Sequence, residues 1–286
     1  MSGSTSPLTG AQLGAIKDLV VPLAQEVGRW ARGRQLDHHA GRVDFGVSTK
    51  TSPGDVVTLV DVEAQSRLAS ALRAAHPGFG LLGEEGLSDL GAHAPVWVID
   101  PIDGTHNFVR DYPGFCVSVG LVVEGASVLG VIYDSASDSV YWAYAGGGAW
   151  RGDERLRVSQ DRPLSHALLS TNFTEPMRDD ARLARFFAGV SGASAGVRAS
   201  GSAARDLCFV ADGRLDLFWQ FGLAPWDVAA GAVIVREAGA AFEFWTGGAD
   251  WLRAKRLHVA AGTPRVLAEA RGVARELGIV EGSAAG

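Results

Sequence analysis

Leu13, Ile16, Val20, Leu23, Val27 and Trp30 recur at three- and four-residue steps, the spacing that lines one face of an α-helix. A second helix is predicted from about 60 to 75, where His76-Pro77-Gly78 stops it. Between the two, from 33 to 54, the chain turns polar and irregular, and Lys50-Thr51-Ser52-Pro53-Gly54-Asp55 has the composition of an exposed loop. The pattern then shortens. Residues 79–82 and 96–99 are apolar runs bounded by Gly and Pro, which predicts buried strands that stop abruptly. Residues 116–123, 127–133 and 139–144 are β-rich and separated by turn residues, which predicts an antiparallel meander. Gly146-Gly147-Gly148 reads as a turn; a phosphate-cradling loop would need a lysine after it, and none follows.

Beyond about 164 the order changes. Strands are expected at 166–171, 215–220, 240–244 and 257–261, with helices at 179–190, 201–211, 225–238 and 264–277. Such alternation predicts a layered α/β half. No Pro/Ser-rich linker and no internal repeat divides the chain. The expected organisation is a Ser/Gly/Thr-rich frayed terminus at 1–10, then one domain over 11–286. That domain has two intimate halves, about 11–160 and 161–286.

Composition narrows the partners. The 286 residues carry a formal charge of −6 and no basic run, which argues against a nucleic-acid partner. A phosphorylated small molecule stays open, because bound cations would supply local positive charge. Cys116 and Cys208 sit in apolar surroundings and read as buried free thiols of a reducing compartment. No apolar stretch is long enough to span a bilayer, and residues 1–10 lack a signal-peptide core. A cytoplasmic protein without membrane contact is expected.

The densest chemistry lies in Asp100-Pro101-Ile102-Asp103-Gly104-Thr105, directly after the run 96–99. Two carboxylates so close repel by ~1 kcal/mol in water and ~4 kcal/mol near a protein surface. A fold keeps such a pair where a cation or a shared proton relieves the repulsion. Oxygen-only ligands suit a hard cation such as Mg²⁺, which usually completes its shell with substrate phosphate. The backbone N–H groups of Gly104 and Thr105 can face an anion. Haloacid-dehalogenase-type phosphatases place their nucleophile and acid two residues apart. Here the aspartates are three apart with proline between them, so the segment reads as a metal clamp and not as a covalent nucleophile. Glu84 and Glu85 follow the run 79–82, while Asp61 and Asp227 stand at predicted helix starts. Each has a plainer alternative: a solvated turn for the glutamates, helix-start stabilisation for the aspartates.

Together these segments resemble the inositol monophosphatase family of Mg²⁺-dependent, lithium-sensitive phosphatases. The matching stretches are Asp55-Val56-Val57-Thr58-Leu59-Val60-Asp61, Gly83-Glu84-Glu85, the run from Trp97 to Thr105, Asn107-Phe108, Gly201-Ser202-Ala203-Ala204 and the run from Trp226 to Gly231. They follow the family's order and approximate spacing over about 11–275. The resemblance implies an α+β fold, a layered α-β-α-β-α sandwich, commonly dimeric, with its site between the halves. It also implies hydrolysis of a small phosphorylated polyol or sugar such as inositol monophosphate.

By motif position, Glu84, Asp100 and the Ile102 carbonyl would hold one Mg²⁺. Asp100, Asp103 and Asp227 would hold a second, with a third and weaker ion near Glu84. Thr105, hydrogen-bonded to Asp61, would orient the attacking water, so Asp61, Thr105 and Glu84 form the implied catalytic set. Asp103, Gly104, Thr105, Gly201, Ser202 and Ala203 would meet substrate or phosphate, and Lys50 matches a family lysine near the metals. Inositol-selective members carry Glu where this chain has Gln220, an amide that binds hydroxyls less strongly than a carboxylate does. His106 also departs from the family pattern. Arg198 and Arg205 flank the Gly-Ser-Ala-Ala segment and offer charge to a second anionic group. Fructose-1,6-bisphosphatase, histidinol-phosphatase and 3′-phosphonucleotide phosphatase activities are the alternatives within the class. A catalytically idle phosphate-binding protein is the alternative outside it.

Overall fold

The computed structural model describes residues 8–49, 56–90, 94–158 and 162–280; Lys50 lies outside them. Helix α1 (Gly10–His39) starts at a reciprocal cap between Thr9 and Gln12. Thr9 and Gly10 therefore belong to the fold and not to a frayed end. The helix also runs well past Trp30, into the segment expected to be irregular. Buried Gln35 explains this: its amide donates to the Phe108 carbonyl at 2.7 Å, a tertiary contact invisible in the polar pattern.

A two-stranded ribbon, β1 (Ser48–Thr49) and β2 (Val56–Val57), leads into α2 (Leu59–Ala75). The first large sheet holds β3 (Gly80–Gly83), β4 (Leu87–Asp89), β5 (Val96–Asp103), β6 (Cys116–Val123), β7 (Ala126–Asp134), β8 (Ser139–Tyr144), β9 (Gly148–Arg151) and β10 (Glu154–Arg155). Its order is β10-β9-β8-β7-β6-β5-β3-β4, and only β3 with β5 is parallel. The short helix α3 (Thr105–Arg110) joins β5 to β6.

The second sheet holds β11 (Leu168–Ser170), β12 (Gly196–Arg198), β13 (Leu217–Leu223), β14 (Ala241–Phe244) and β15 (Leu257–Gly262), in the order β12-β11-β13-β15-β14. Among the described residues this half has the α-helices α4 (Glu175–Asp179), α5 (Ala181–Gly192), α6 (Ala203–Ala211), α7 (Pro225–Glu237) and α8 (Pro264–Glu276). The helix expected at 179–190 is broken because Asp180 leaves helical backbone to cap α5, accepting from the Arg182 N–H at 2.8 Å. In the same way, Ser202 caps α6, so that helix begins at Ala203.

Three apolar clusters stack these parts into layers. One lies between α1/α2 and the first sheet, and one between α5/α8 and the second. The largest surrounds α6 and α7, which sit between the two sheets. The order is thus α-β-α-β-α. Both faces of the first sheet are covered, so all of β5 and nearly all of β6 is buried, and 96–99 reads as a continuous apolar run. Cys116 and Cys208 are buried and unpaired in the central cluster. Among the described residues no helix is long and apolar enough to cross a membrane.

Helix α7 lies against the first sheet at very short range. A Cβ placed on Gly130 of β7 would stand 2.2 Å from the Ala230 carbonyl oxygen. Gly130→Ala is therefore expected to destabilise the protein by about 2–3 kcal/mol, the upper part of the range for overpacking. The urea midpoint should fall with an unchanged m-value.

Candidate active site

Strand β5 does not stop at Ile99. It continues to Asp103, but Asp100 pairs with Ser118 while Asp103 pairs with Cys116, so β5 carries one extra residue there. This bulge re-aims the strand end, as bulges beside functional sites do. Asp100 and Asp103, with Asp227 from the first turn of α7, then each place a carboxylate oxygen within 4.8 Å of the others.

One oxygen of each carboxylate is tied to a fixed donor. Asp100 accepts the Ile102 N–H at 3.1 Å. Asp103 accepts the Ser202 hydroxyl at 2.7 Å and the Ala204 N–H at 2.6 Å, which sets its charge at the start of α6. Asp227 accepts the Ala224 N–H at 2.7 Å, a helix-start cap. Asp61 divides its work similarly. One of its oxygens accepts from the Thr58 N–H and hydroxyl at the start of α2, and the other accepts from the Thr105 hydroxyl at 3.1 Å. Capping and site chemistry are therefore performed by the same carboxylates.

The electrostatics are unfavourable without a cation. Burial pushes the Asp100 carboxyl well above the usual range, and the charges of Glu84, Asp103 and Asp227 push it further. Asp227 moves the same way for the same reasons, burial first and then the charge of Asp103. Burial raises Asp103 to about 6, against the hydrogen bonds from Ser202 and Ala204. Asp61 is raised to about 6 by burial too, with Glu84 adding to the rise. Glu84 thus acts on all four aspartates. The Gln65 side chain fixes its turn, accepting from the Glu85 N–H at 2.9 Å and donating to the Glu85 carbonyl at 3.0 Å. An all-oxygen, mutually repelling, buried donor set fits a hard divalent cation.

The family model for the inositol monophosphatase family matches residues 17–277. The chain belongs to the inositol monophosphatase family. "Inositol-1-monophosphatase SuhB" of Mycobacterium tuberculosis H37Rv is 41% identical over 238 residues, which cover 79% of this chain and 82% of that protein. "Nus factor SuhB" of Pseudomonas aeruginosa PAO1 is 40% identical over 232 residues, covering 78% and 84%. The structure of extragenic suppressor protein suhB from Bartonella henselae superposes with a TM-score of 0.80 at 32% identity, covering 92% of this chain and 98% of that one. The protein is accordingly a phosphomonoester hydrolase of this family, whose members are metal-dependent.

Not every expected residue joins this inositol monophosphatase site. Gly104, in left-handed backbone at φ 95°, brings its loop so close to Gly201 that a Cβ would lie 3.2 Å from the Gly201 carbonyl oxygen. Gly104, Thr105, Gly201, Ser202 and Ala203 therefore border the carboxylates. His106 is exposed on α3. Arg198 and Arg205 turn elsewhere, which corrects their expected part in the site. Arg205 donates to the Pro113 carbonyl at 3.0 Å and stacks on Phe209, and both arginines line a separate cavity with Arg214. Three positioning residues were not foreseen. Gln65 sets the Glu84 turn. Asn107 donates to the Gly114 and Ser200 carbonyls, each at 2.8 Å, and so ties α3 to the segment before α6. Asn172 donates to the Gln220 oxygen at 2.8 Å. Asn107 stood inside a quoted motif; Asn172, a lone polar residue after a strand, gave no signal.

Proposed function

We propose that the protein is a Mg²⁺-dependent phosphomonoesterase acting on a small phosphorylated polyol or sugar. The observation that carries this reading is the three-carboxylate cluster set beside the Thr105–Asp61 pair. Glu84, Asp100, the Ile102 carbonyl, Asp103 and Asp227 would hold two ions, with a third and weaker one near Glu84. Bound there, Mg²⁺ would neutralise phosphate charge and lower the pKa of the attacking water.

The chain's own groups do the positioning. The Thr105 hydroxyl has one proton and two acceptors, Asp61 and the Ile102 carbonyl, each at 3.1 Å. Donating to either leaves its lone pairs to accept from a water aimed at phosphorus. The N–H groups of Gly104 and Thr105 would face the developing charge on the phosphate oxygens. Gln220 has its oxygen engaged by Asn172, so its free end donates where a glutamate would accept. That difference supports a leaving group other than myo-inositol.

Thr105→Val should lower kcat by about 10²–10⁴-fold, the usual loss for a group that handles the attacking water. Calorimetric Mg²⁺ binding should persist in this variant. Hydrolysis of a chromogenic phosphate ester at the wild-type rate by Thr105→Val, or by chelated wild type, would refute the reading. The Nus-factor name belongs to the Pseudomonas relative. In this chain the residues of the expected metal and water set are all present and three of their carboxylates converge, which favours turnover over an idle phosphate-binding role.

A further inference from the structure

A cavity of about 350 Å³ opens beside the carboxylates, and Glu84 and Asp227 form part of its wall. Lys255 and Arg256, from the segment leading into β15, line the same cavity, as do Thr174 and Glu175 at the start of α4. Lys255 and Arg256 have no part in the metal and water chemistry above.

The charges of this cavity divide unevenly. Glu84 and Asp227 are committed to the cation cluster. Glu175 faces Arg256, with Oε2 and Nη2 2.8 Å apart, and both side chains are more than half exposed. Ion pairs so open to solvent exchange partners at little cost. Lys255 makes no ion pair or hydrogen bond among the described residues. Once cations occupy the carboxylates, the far wall presents an uncompensated ammonium and a weakly held guanidinium. A substrate bearing only hydroxyls beyond its phosphate would leave that charge unanswered.

Resting on the phosphatase reading, we infer that Lys255 and Arg256 form a subsite for a second anionic group of the substrate, a phosphate or a carboxylate. The ammonium meets it as a point charge and the guanidinium as a planar fork. Arg256 turns from Glu175 to the substrate as it binds. The preferred substrates are then esters with two anionic ends, not neutral polyol monophosphates.

Three esters on one six-carbon chain test this with Mg²⁺ present: glucitol 6-phosphate, 6-phosphogluconate and glucitol 1,6-bisphosphate. Their second ends are a hydroxyl, a carboxylate and a phosphate. For at least one of the doubly anionic esters, kcat/KM should exceed that for glucitol 6-phosphate by about tenfold, mostly through KM, the size of one charge-assisted hydrogen bond. Whichever arm shows the gain identifies the anion. Lys255→Met/Arg256→Met should abolish the preference, and Glu175→Gln, which releases Arg256, should increase it. All three positions are exposed, so folding is not at stake. Hydrolysis of the three esters with no preference, or with a preference that the double variant keeps, overturns the subsite alone. If wild type hydrolyses a chromogenic phosphate ester but none of the three, the subsite alone is overturned. If it hydrolyses no phosphate ester with Mg²⁺ present, the phosphatase reading fails and the subsite falls with it.

Discussion

Asp100→Asn is expected to lose at least about 10³-fold in kcat, yet its metal-free form should melt higher than metal-free wild type. The two effects have one cause. Asp100 is 1% exposed and stands among Glu84, Asp103 and Asp227, whose charges all disfavour its ionised form. An amide of the same shape removes that repulsion and can still accept the Ile102 N–H. It also removes a charged oxygen from the cation cluster, so adding Mg²⁺ should raise the variant's melting temperature far less than that of wild type. Calorimetry in chelator and in Mg²⁺ reads both. A metal-free variant that melts below wild type would show that the cluster is held together by hydrogen bonds and is not poised for a cation.

The second large effect is a reversed pH dependence of stability in the metal-free protein. Asp61 and Asp103 are raised from 3.8 to about 6, and Asp206 to about 7, in each case chiefly by burial. Between the unfolded and folded values, the folded state binds protons more tightly than the unfolded chain. Stability therefore falls as pH rises. The contribution is complete below about 4 and is lost as pH passes through about 6 to 7. For Asp61 and Asp103 it is on the order of 3 kcal/mol each, at about 1.4 kcal/mol per pH unit. His76 and His258, lowered by burial, act in the opposite direction, as do Asp138 and Asp180, lowered by their arginine partners. Each of those groups is less buried than Asp61, Asp103 and Asp206, so the buried carboxylates decide the sign. Chelated protein should melt higher at pH 5.5 than at pH 8, and saturating Mg²⁺ should flatten the difference. A chelated melting temperature that climbs over this range would refute the account.

These expectations start from features that were legible at different levels. The meander was readable because β6, β7 and β8 are long enough to show their β pattern between turn residues. Strands β4, β9, β10 and β12 have two to four residues each, too few to carry a period. The acidic residues of the site were legible because Asp100 and Asp103 share one six-residue segment, and because Asp61 and Asp227 stand at helix starts. The bulge was not. A shift of one residue between Asp100 and Asp103 depends on what β6 offers opposite, and that pairing is a property of two strands. Arg205 misled for a similar reason. It adjoins the site in sequence, but α6 turns its side chain toward Asp134 and Phe209.

The glycine contact between β7 and α7 has a consequence beyond stability. Asp227 rides on the first turn of α7, whereas Asp100 and Asp103 ride on the sheet that α7 touches through Gly130 and Gly120. The closeness of that seam sets how far the third carboxylate stands from the other two. Any side chain that wedges the seam open also mistunes the distance between metal ligands, although it touches no ligand. The packing tolerance of a buried glycine is, in this fold, the alignment tolerance of the catalytic centre.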